Sequence, residues 1–300
     1  MNLQKILLKI FNKNKYFQYK DKKRKEDSKD LYEQKIKIEL EKINQALKKS
    51  EINFLHSGHL GDVINALPLI KEISKTKKCN YFIEANKDIP SHILTTNHPF
   101  GKKFLTDKAV DMLIPLIDKQ IFINITKKYT NQSIDIDLNV FRQFPLNFNI
   151  DSVRWYFHLA GIHANLTEKY INVDNHKDFL NKIVITRNLS RKNYLINYKF
   201  LNKYNNLLFL GLEKEYVDLK KEIPNLAFYD CQNFLEMAMI VKNCKIFIGN
   251  LSFGFALAEA MKVPRLLESG PDFPLVYPNG NNGFDFYFQE HFEKLFEKIH

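Results

Sequence analysis

Cysteine is scarce in this chain of 300 residues: three, Cys79, Cys231 and Cys244, lie scattered, with no CxxC spacing and no histidine pair beside them. A disulfide-stapled scaffold is thereby excluded and a zinc site disfavoured, and the usage fits a reducing compartment. Long apolar runs are also missing. None approaches the roughly 20 residues that cross a bilayer, and KILLKIF near the N-terminus is interrupted by lysine and leads to no cleavage site. The expectation is a cytoplasmic protein. There are only ten glycines, and they form neither GxGxxG nor a Walker loop, so motif support for NAD or ATP is absent.

What is present suits two medium α/β domains. Hydrophobic residues make up 45% and aromatics 13%, enough for sizeable cores, and single cores rarely grow past about 250 residues. The net charge of +11 is uneven. Residues 1–50 hold 15 Lys and Arg against 7 Asp and Glu, a surplus of +8, whereas the other 250 hold 30 against 27, or +3. Leu3, Ile6, Leu7, Ile10 and Phe11 are spaced as one face of a helix with lysines between them. Such a segment can lie peripherally on an anionic membrane surface; a solvated arm explains the same pattern. Nucleic acid is not expected as a partner, because the globular part lacks a comparable basic surplus.

Along the chain, DKKRKEDSKD (21–30) reads as a polar linker, and Ile36, Leu40, Ile43 and Leu47 mark a helix. Strand and helix then alternate. Strands are expected at 52–58, 79–86, 121–125 and 134–139, with helices at 60–76, at 108–117 (interrupted by Pro115) and at 151–161, ending on Gly161. After charged, aperiodic residues near 168–181 the rhythm restarts. Strands are expected at 182–187, 206–211, 226–230, 245–250 and 263–269, and helices at 213–222, 232–243 and 253–262. This gives a basic helical extension (1–50), two Rossmann-like doubly wound domains (51–175 and 176–284), and a C-terminal amphipathic helix (285–300) expected to pack across the interdomain region. Two such sheets would face a cleft at their carboxyl ends, where ligands of these folds bind.

Two strand–turn–helix junctions carry the candidate chemistry. In FIGNLSFGFALAEAMKVP, Gly249, Ser252 and Gly254 are expected to let a diphosphate approach the start of a helix, with Asn250 adding a polar contact; a tight turn with a Ser or Asn cap is the alternative. In HSGHLGDVINALPLIKEI, Asp62 follows Gly61. Aspartate at a helix start is either a stabilising charge or a general base that the helix dipole keeps ionised.

The GD-x5-P element (Gly61, Asp62, Pro68), followed far downstream by FIGNLSFGFALAEAMKVPRLLE, resembles the paired signatures of the ADP-heptose:lipopolysaccharide heptosyltransferases, glycosyltransferase family nine. The resemblance spans roughly residues 52–280 in architecture, while the matching motifs are short. It implies a GT-B fold and an inverting, metal-independent transferase with no cofactor beyond a nucleotide-diphosphate sugar as co-substrate. The acceptor, a cell-surface glycan or glycolipid, would bind the N-terminal half and the donor the C-terminal half, with Asp62 taking the acceptor proton. The second signature departs from the family pattern: Asn250 stands in place of Asp, and Phe255 or Ala256 in place of His. That leaves the diphosphate to backbone amides and Ser252. Thr186, Arg187, Ser190, Arg191 and Lys192 resemble the family's phosphate contacts, though an Arg/Lys turn is also ordinary solvated surface. Glu213 and Glu215 are placed to bind ribose hydroxyls or simply to begin a surface helix. On the acceptor side, His56, His59, Gly61, Asn139 and Arg142 are candidates, and Trp155, Tyr156 and His158 are expected to pack a helix into the core. A transferase acting on another acceptor, such as a modified nucleic-acid base, and a non-catalytic nucleotide- or glycan-binding relative are the competing readings.

Overall fold

The structure, a computed structural model, describes residues 3–91, 98–143, 151–270 and 276–300. It opens with helices α1 (Leu3–Phe11), α2 (Lys13–Leu31) and α3 (Lys37–Ala46), the last two joined by a π-helical turn. Residues 21–30 are therefore helix and not linker. Their charges alternate in sign at helical spacing, and Asp21 pairs with Arg24 and Lys25 and Lys22 with Glu26 along one helix, which supports a helix without any core.

The first sheet holds β1 (Glu51–His56), β2 (Lys78–Ile83), β3 (Ile125–Lys128) and β4 (Ile136–Asp137), all parallel, in the order β3-β2-β1-β4. Between β1 and β2 the expected single helix is two, α4 (Leu60–Asn65) and α5 (Leu67–Ser74). Pro68 begins the second, since its ring cannot continue the hydrogen-bond ladder of the first. Helix α6 (Asp107–Asp118) follows β2 and runs through Pro115 without interruption. Strand β3 lies later than expected: Ile121 is 98% exposed, Ile123 turns into the core, and the polar stretch Thr126–Lys128 pairs with β2 instead. An edge strand tolerates those lysines. Helix α7 (Ser152–Ala160) ends on Gly161 at φ +63°, the left-handed cap its sequence suggested.

The second sheet, also all parallel, runs β10-β9-β8-β5-β6-β7. Its strands are β5 (Ile183–Thr186), β6 (Leu207–Leu210), β7 (Ala227–Tyr229), β8 (Ile246–Asn250), β9 (Arg265–Glu268) and β10 (Gly283–Phe286). Strands β5, β6 and β8 are wholly buried, hence their unbroken apolar sequences. The short β10 was missed in the sequence. Helices α8 (Glu213–Lys220), α9 (Phe234–Lys242) and α10 (Phe253–Met261) connect the strands, and α11 (Gln289–Ile299) closes the chain. Contrary to expectation, α11 does not cross between the halves. Phe292 stacks on Phe286 at 4.0 Å and meets Phe200 and Tyr198, so α11 covers one face of the second sheet.

The two sheets share one hydrophobic core. Helix α10 packs on α4 and α9 on α6, joining Ile64, Leu67 and Leu113 to Met237, Val241 and Leu257. Each sheet reverses its winding once, between β1 and β4 in the first and between β5 and β8 in the second. At such switch points the loops diverge and leave a crevice beyond the carboxyl ends of the strands.

Candidate functional site

The first switch point is built by the turn after β1 and the 3-10 turn Val140–Gln143 after β4. Asp62 sits in the first turn of α4. Its Oδ2 accepts from the His59 backbone N–H at 3.0 Å and from Arg142 Nη2, which ion-pairs with it. The two side chains remain 19% and 22% exposed. No hydrogen bond reaches Oδ1 among the described residues. One carboxylate oxygen is thus anchored and the other left open. Burial works to raise the Asp62 pKa, but Arg142, the neighbouring histidines and the His59 amide outweigh it, and the carboxyl is held below its ordinary value. Asp62 is therefore ionised at neutral pH.

Arg142 is itself fixed by aromatic faces, with its guanidinium carbon 4.8 Å from the Phe141 ring centre and 5.4 Å from that of Phe104. Gly58 makes room for the pair. A Cβ there would stand 3.0 Å from both Arg142 Nη1 and Asp62 Oδ2, and 2.7 Å from His56 Cε1. Behind the turn, the Gly58 N–H donates to His56 Nδ1 at 2.9 Å, which places the His56 proton on Nε2. That nitrogen lies 2.9 Å from Tyr156 Oη, and Tyr156 donates in turn to the Asp62 carbonyl at 3.2 Å. Burial pushes the His56 pKa down to about 3, so the ring is neutral.

His56 is consequently no acceptor contact: it is fully buried and supports the turn from within. Asn139 is also turned inward, donating from its backbone and side chain to Asp137 Oδ1 at 2.8 and 2.7 Å. Gly61 faces the other half of the molecule, where a Cβ would come 3.9 Å from Ala256. His59 does lie at the surface of the site, with Nδ1 3.0 Å from His98 Nε2 and its ring against Phe104. Burial lowers its pKa to about 4. His98, Phe104 and the polar role of Tyr156 were not anticipated. They come from 39–100 residues away by contacts that no local pattern encodes.

At the second switch point, Thr186 ends β5 and Ser252 caps α10. Their hydroxyls are 3.2 Å apart, and Ser252 Oγ also accepts from the Phe255 N–H at 3.4 Å. Gly249 and Gly254 are needed here for packing. A Cβ on either would stand 2.7–2.8 Å from Thr186 Oγ1, so their bare backbones let α10 and β8 press against β5. Asn250, in the position where the family pattern has Asp, is fully buried. It grips the Asn188 backbone from both sides, accepting from its N–H and donating to its carbonyl, each at 2.8 Å. Asn250 therefore shapes the 188–191 loop from beneath.

Three other candidates are occupied internally. Arg187, 2% exposed, binds Glu268 through Nε at 2.8 Å and Nη2 at 3.1 Å and donates to the Asn193 and Ile196 carbonyls. Lys192 pairs with Asp218 at 2.9 Å and lies 3.7 Å from Glu222. Glu215 is buried and accepts from the Leu212 and Leu189 N–H groups, with burial raising its pKa. Glu213 is exposed at the start of α8. Ser190 lies in the loop, its hydroxyl donating to Asn188 Oδ1 at 2.6 Å. Arg191 lies within electrostatic range of the first half. Its charge is felt at His59 and His98 on the first half, and the Asp62 charge is felt in turn at Arg191. The two switch points thus meet, with Asp62 and Arg142 on one side and Arg191, Ser252 and the start of α10 on the other. Among the described residues no group of three or more His, Cys, Asp or Glu side chains is placed to hold a metal, and no helix is long and apolar enough to cross a membrane.

No family model matches the sequence, and no curated protein matches it. Solved structures do match its fold. The glycosyltransferase family 9 protein of Veillonella parvula aligns over 85% of this chain and 91% of its own, with a TM-score of 0.50 at 14% identity. The dodecameric iron-containing heptosyltransferase TibC of Escherichia coli, solved in complex with ADP-D-beta-D-heptose, aligns over 80% of this chain and 62% of its own, with a TM-score of 0.51 at 13% identity. The chain has a GT-B-like fold of two parallel sheets.

Proposed function

We propose that the protein is an inverting glycosyltransferase that moves a sugar from a nucleotide-diphosphate sugar to a glycan or glycolipid acceptor of the cell surface. It would work in the cytoplasm, on the inner face of the membrane. One observation carries the reading: Asp62 presents an open, ionised carboxylate oxygen at one switch point, within electrostatic range of Arg191 at a second switch point that also holds a helix N-terminus. The fold likeness to family nine transferases supports it. In the reaction, an acceptor hydroxyl attacks the anomeric carbon while Asp62 Oδ1 takes its proton, and the bond from that carbon to the diphosphate breaks. The departing nucleoside diphosphate takes the electron pair. Arg191, Ser252 and the first N–H groups of α10, which a helix leaves without internal partners, would stabilise its charge. A carboxylate with a lowered pKa is a weak base, so proton transfer is late and depends on the positioning that Arg142 and His59 supply. A metal-independent mechanism fits the use of Arg191 at the leaving group.

Asn250, drawn into the loop support and away from any ligand, favours a second reading, a non-catalytic binder of nucleotide sugars. One experiment tests both. A panel of nucleotide sugars is screened by thermal stabilisation, and the best are assayed for nucleoside diphosphate release with glycolipid acceptors. Stabilisation with release is expected. Stabilisation without release by any acceptor supports the binder, and no stabilisation by any nucleotide sugar overturns both.

A further inference from the structure

The N-terminal helices divide into two parts of opposite character. Residues 1–20 contain five lysines and no acidic residue, whereas residues 21–31 contain five basic residues against four acidic ones. In the second stretch the charges are already matched within the helix, Asp21 with Arg24 at 2.7 Å and with Lys25 at 2.9 Å. Within the first stretch no acidic residue stands among them. The apolar residues follow the same division: Leu7, Ile10, Phe11 and Phe17 are 47, 66, 79 and 53% exposed. Helix α2 buries nothing, and over its 19 residues it extends about 28 Å at 1.5 Å per residue. The docking of the arm begins only at Ile36 and continues through Leu40, Ile43 and Ala46 of α3.

A break falls within the first part, between α1 and α2. Asn12 has extended backbone (φ −152°, ψ 91°), and its side chain accepts from the Lys15 N–H at 3.0 Å, capping α2 afresh. Helix α1 is therefore free to take a different direction from α2. A short helix with one apolar face, flanked only by positive charge, matches a surface that is apolar beneath and anionic above.

We propose that α1, with Phe17 at the start of α2, docks in the plane of an anionic lipid bilayer, and that the charge-matched part of α2 is a stalk holding the two sheets off it. The apolar face of α1 enters the headgroup boundary, and the lysines at 9, 13, 15 and 20 meet the lipid phosphates. A soluble polyanion would satisfy the lysines but leave Ile10 and Phe11 in water. A second apolar protein surface would leave the lysines without partners. Only a bilayer answers both features. The inference rests on the proposed membrane-borne acceptor for its purpose, but vesicle binding is read with neither donor nor acceptor, so either idea can fail alone.

The full chain is sedimented with vesicles of phosphatidylcholine alone and with an added phosphatidylglycerol fraction, at low and high salt. Binding to the anionic vesicles only, weakened by salt, is expected. The double variant Ile10→Asp/Phe11→Asp changes exposed side chains without touching the core, and should weaken binding at least ~10-fold. Lys13→Gln and Lys15→Gln should each weaken it about fivefold. In Phe11→Trp, the new indole should shift its emission to the blue on anionic vesicles, over the constant background of Trp155, the only native tryptophan. Failure of the full chain to bind anionic vesicles overturns the proposal. So does unchanged binding by the Asp double variant, or a finding that this variant dissociates a dimer while vesicles bind neither form.

Discussion

Two arginine–carboxylate pairs stand at the carboxyl ends of the two sheets, and they differ in what they leave unsatisfied. In the second half, Glu268 receives Arg187 on both oxygens, Tyr198 Oη at 2.8 Å and the Asn193 N–H at 2.6 Å, and both side chains are essentially sealed, at 2 and 0% exposed. In the first half, Asp62 receives Arg142 and one amide on a single oxygen, and the other oxygen faces out. The first arrangement joins β9, β5 and the 193–198 loop into a frame. The second has the form of a reagent: fixed in place, but with one acceptor site in reserve. An arginine–carboxylate pair is thus a closed frame where every acceptor oxygen is matched, and open to a ligand where one is not.

The largest effect separating the two should come from Glu268→Ala. Removing the acid strands a buried guanidinium, and loss of one partner of a buried pair costs about 3–5 kcal/mol. Chemical denaturation should show that loss, and a change below about 1 kcal/mol would mean the pair is no frame. Asp62→Asn should do the reverse. The side chain keeps its size and a capping oxygen, so stability should drop by no more than about 1 kcal/mol. Turnover should fall at least ~100-fold while nucleotide-sugar affinity holds; surviving activity would reduce Asp62 to a helix-start charge.

Arg142→Gln sharpens the contrast through pH. Asp62 has a folded pKa below its unfolded value, so its contribution to stability is complete above the unfolded pKa and is lost as pH falls through the folded one. Without Arg142, the burial that now opposes ionisation gains ground, and the acid limb of the turnover profile should move toward neutrality by about one to three pH units. An unmoved limb would show that Arg142 does not set the basicity of Asp62. The smallest effect belongs to Ser252→Ala, which removes a cap worth about 1 kcal/mol and one proposed diphosphate contact. A drop in melting temperature with unchanged nucleotide affinity would assign the hydroxyl to the helix alone.

The strand–turn–helix at Asp62 was legible because local signals agreed: a buried apolar strand, a glycine turn and an amphipathic helix follow one another within about 20 residues. The switch-point glycines were legible as positions, but their reason was not. Gly249 and Gly254 answer to Thr186, more than 60 residues earlier. Helix α2 was misread because its composition is that of a linker and only the signs of its charges, taken at helical spacing, favour a helix. Strand β3 was misread because the more apolar IFINI precedes it, and the register is set by β2. The Asp62–Arg142 and Arg187–Glu268 pairs link residues 80 and 81 positions apart. Arg187 and Arg142 look alike in sequence; only the fold shows that one pair is sealed and the other partly open.

The core shared between α4, α6, α9 and α10 has a consequence for how the molecule is lost as well as made. Cutting the chain near residue 175 would strip Ile64, Leu67 and Leu113 of the helices that cover them. Neither fragment would present a finished surface, and each would be a substrate for proteases and a seed for aggregation. A ribosome translating this chain therefore carries an incomplete first half until α10 has emerged, some 80 residues later, and the two halves should melt as a single cooperative unit.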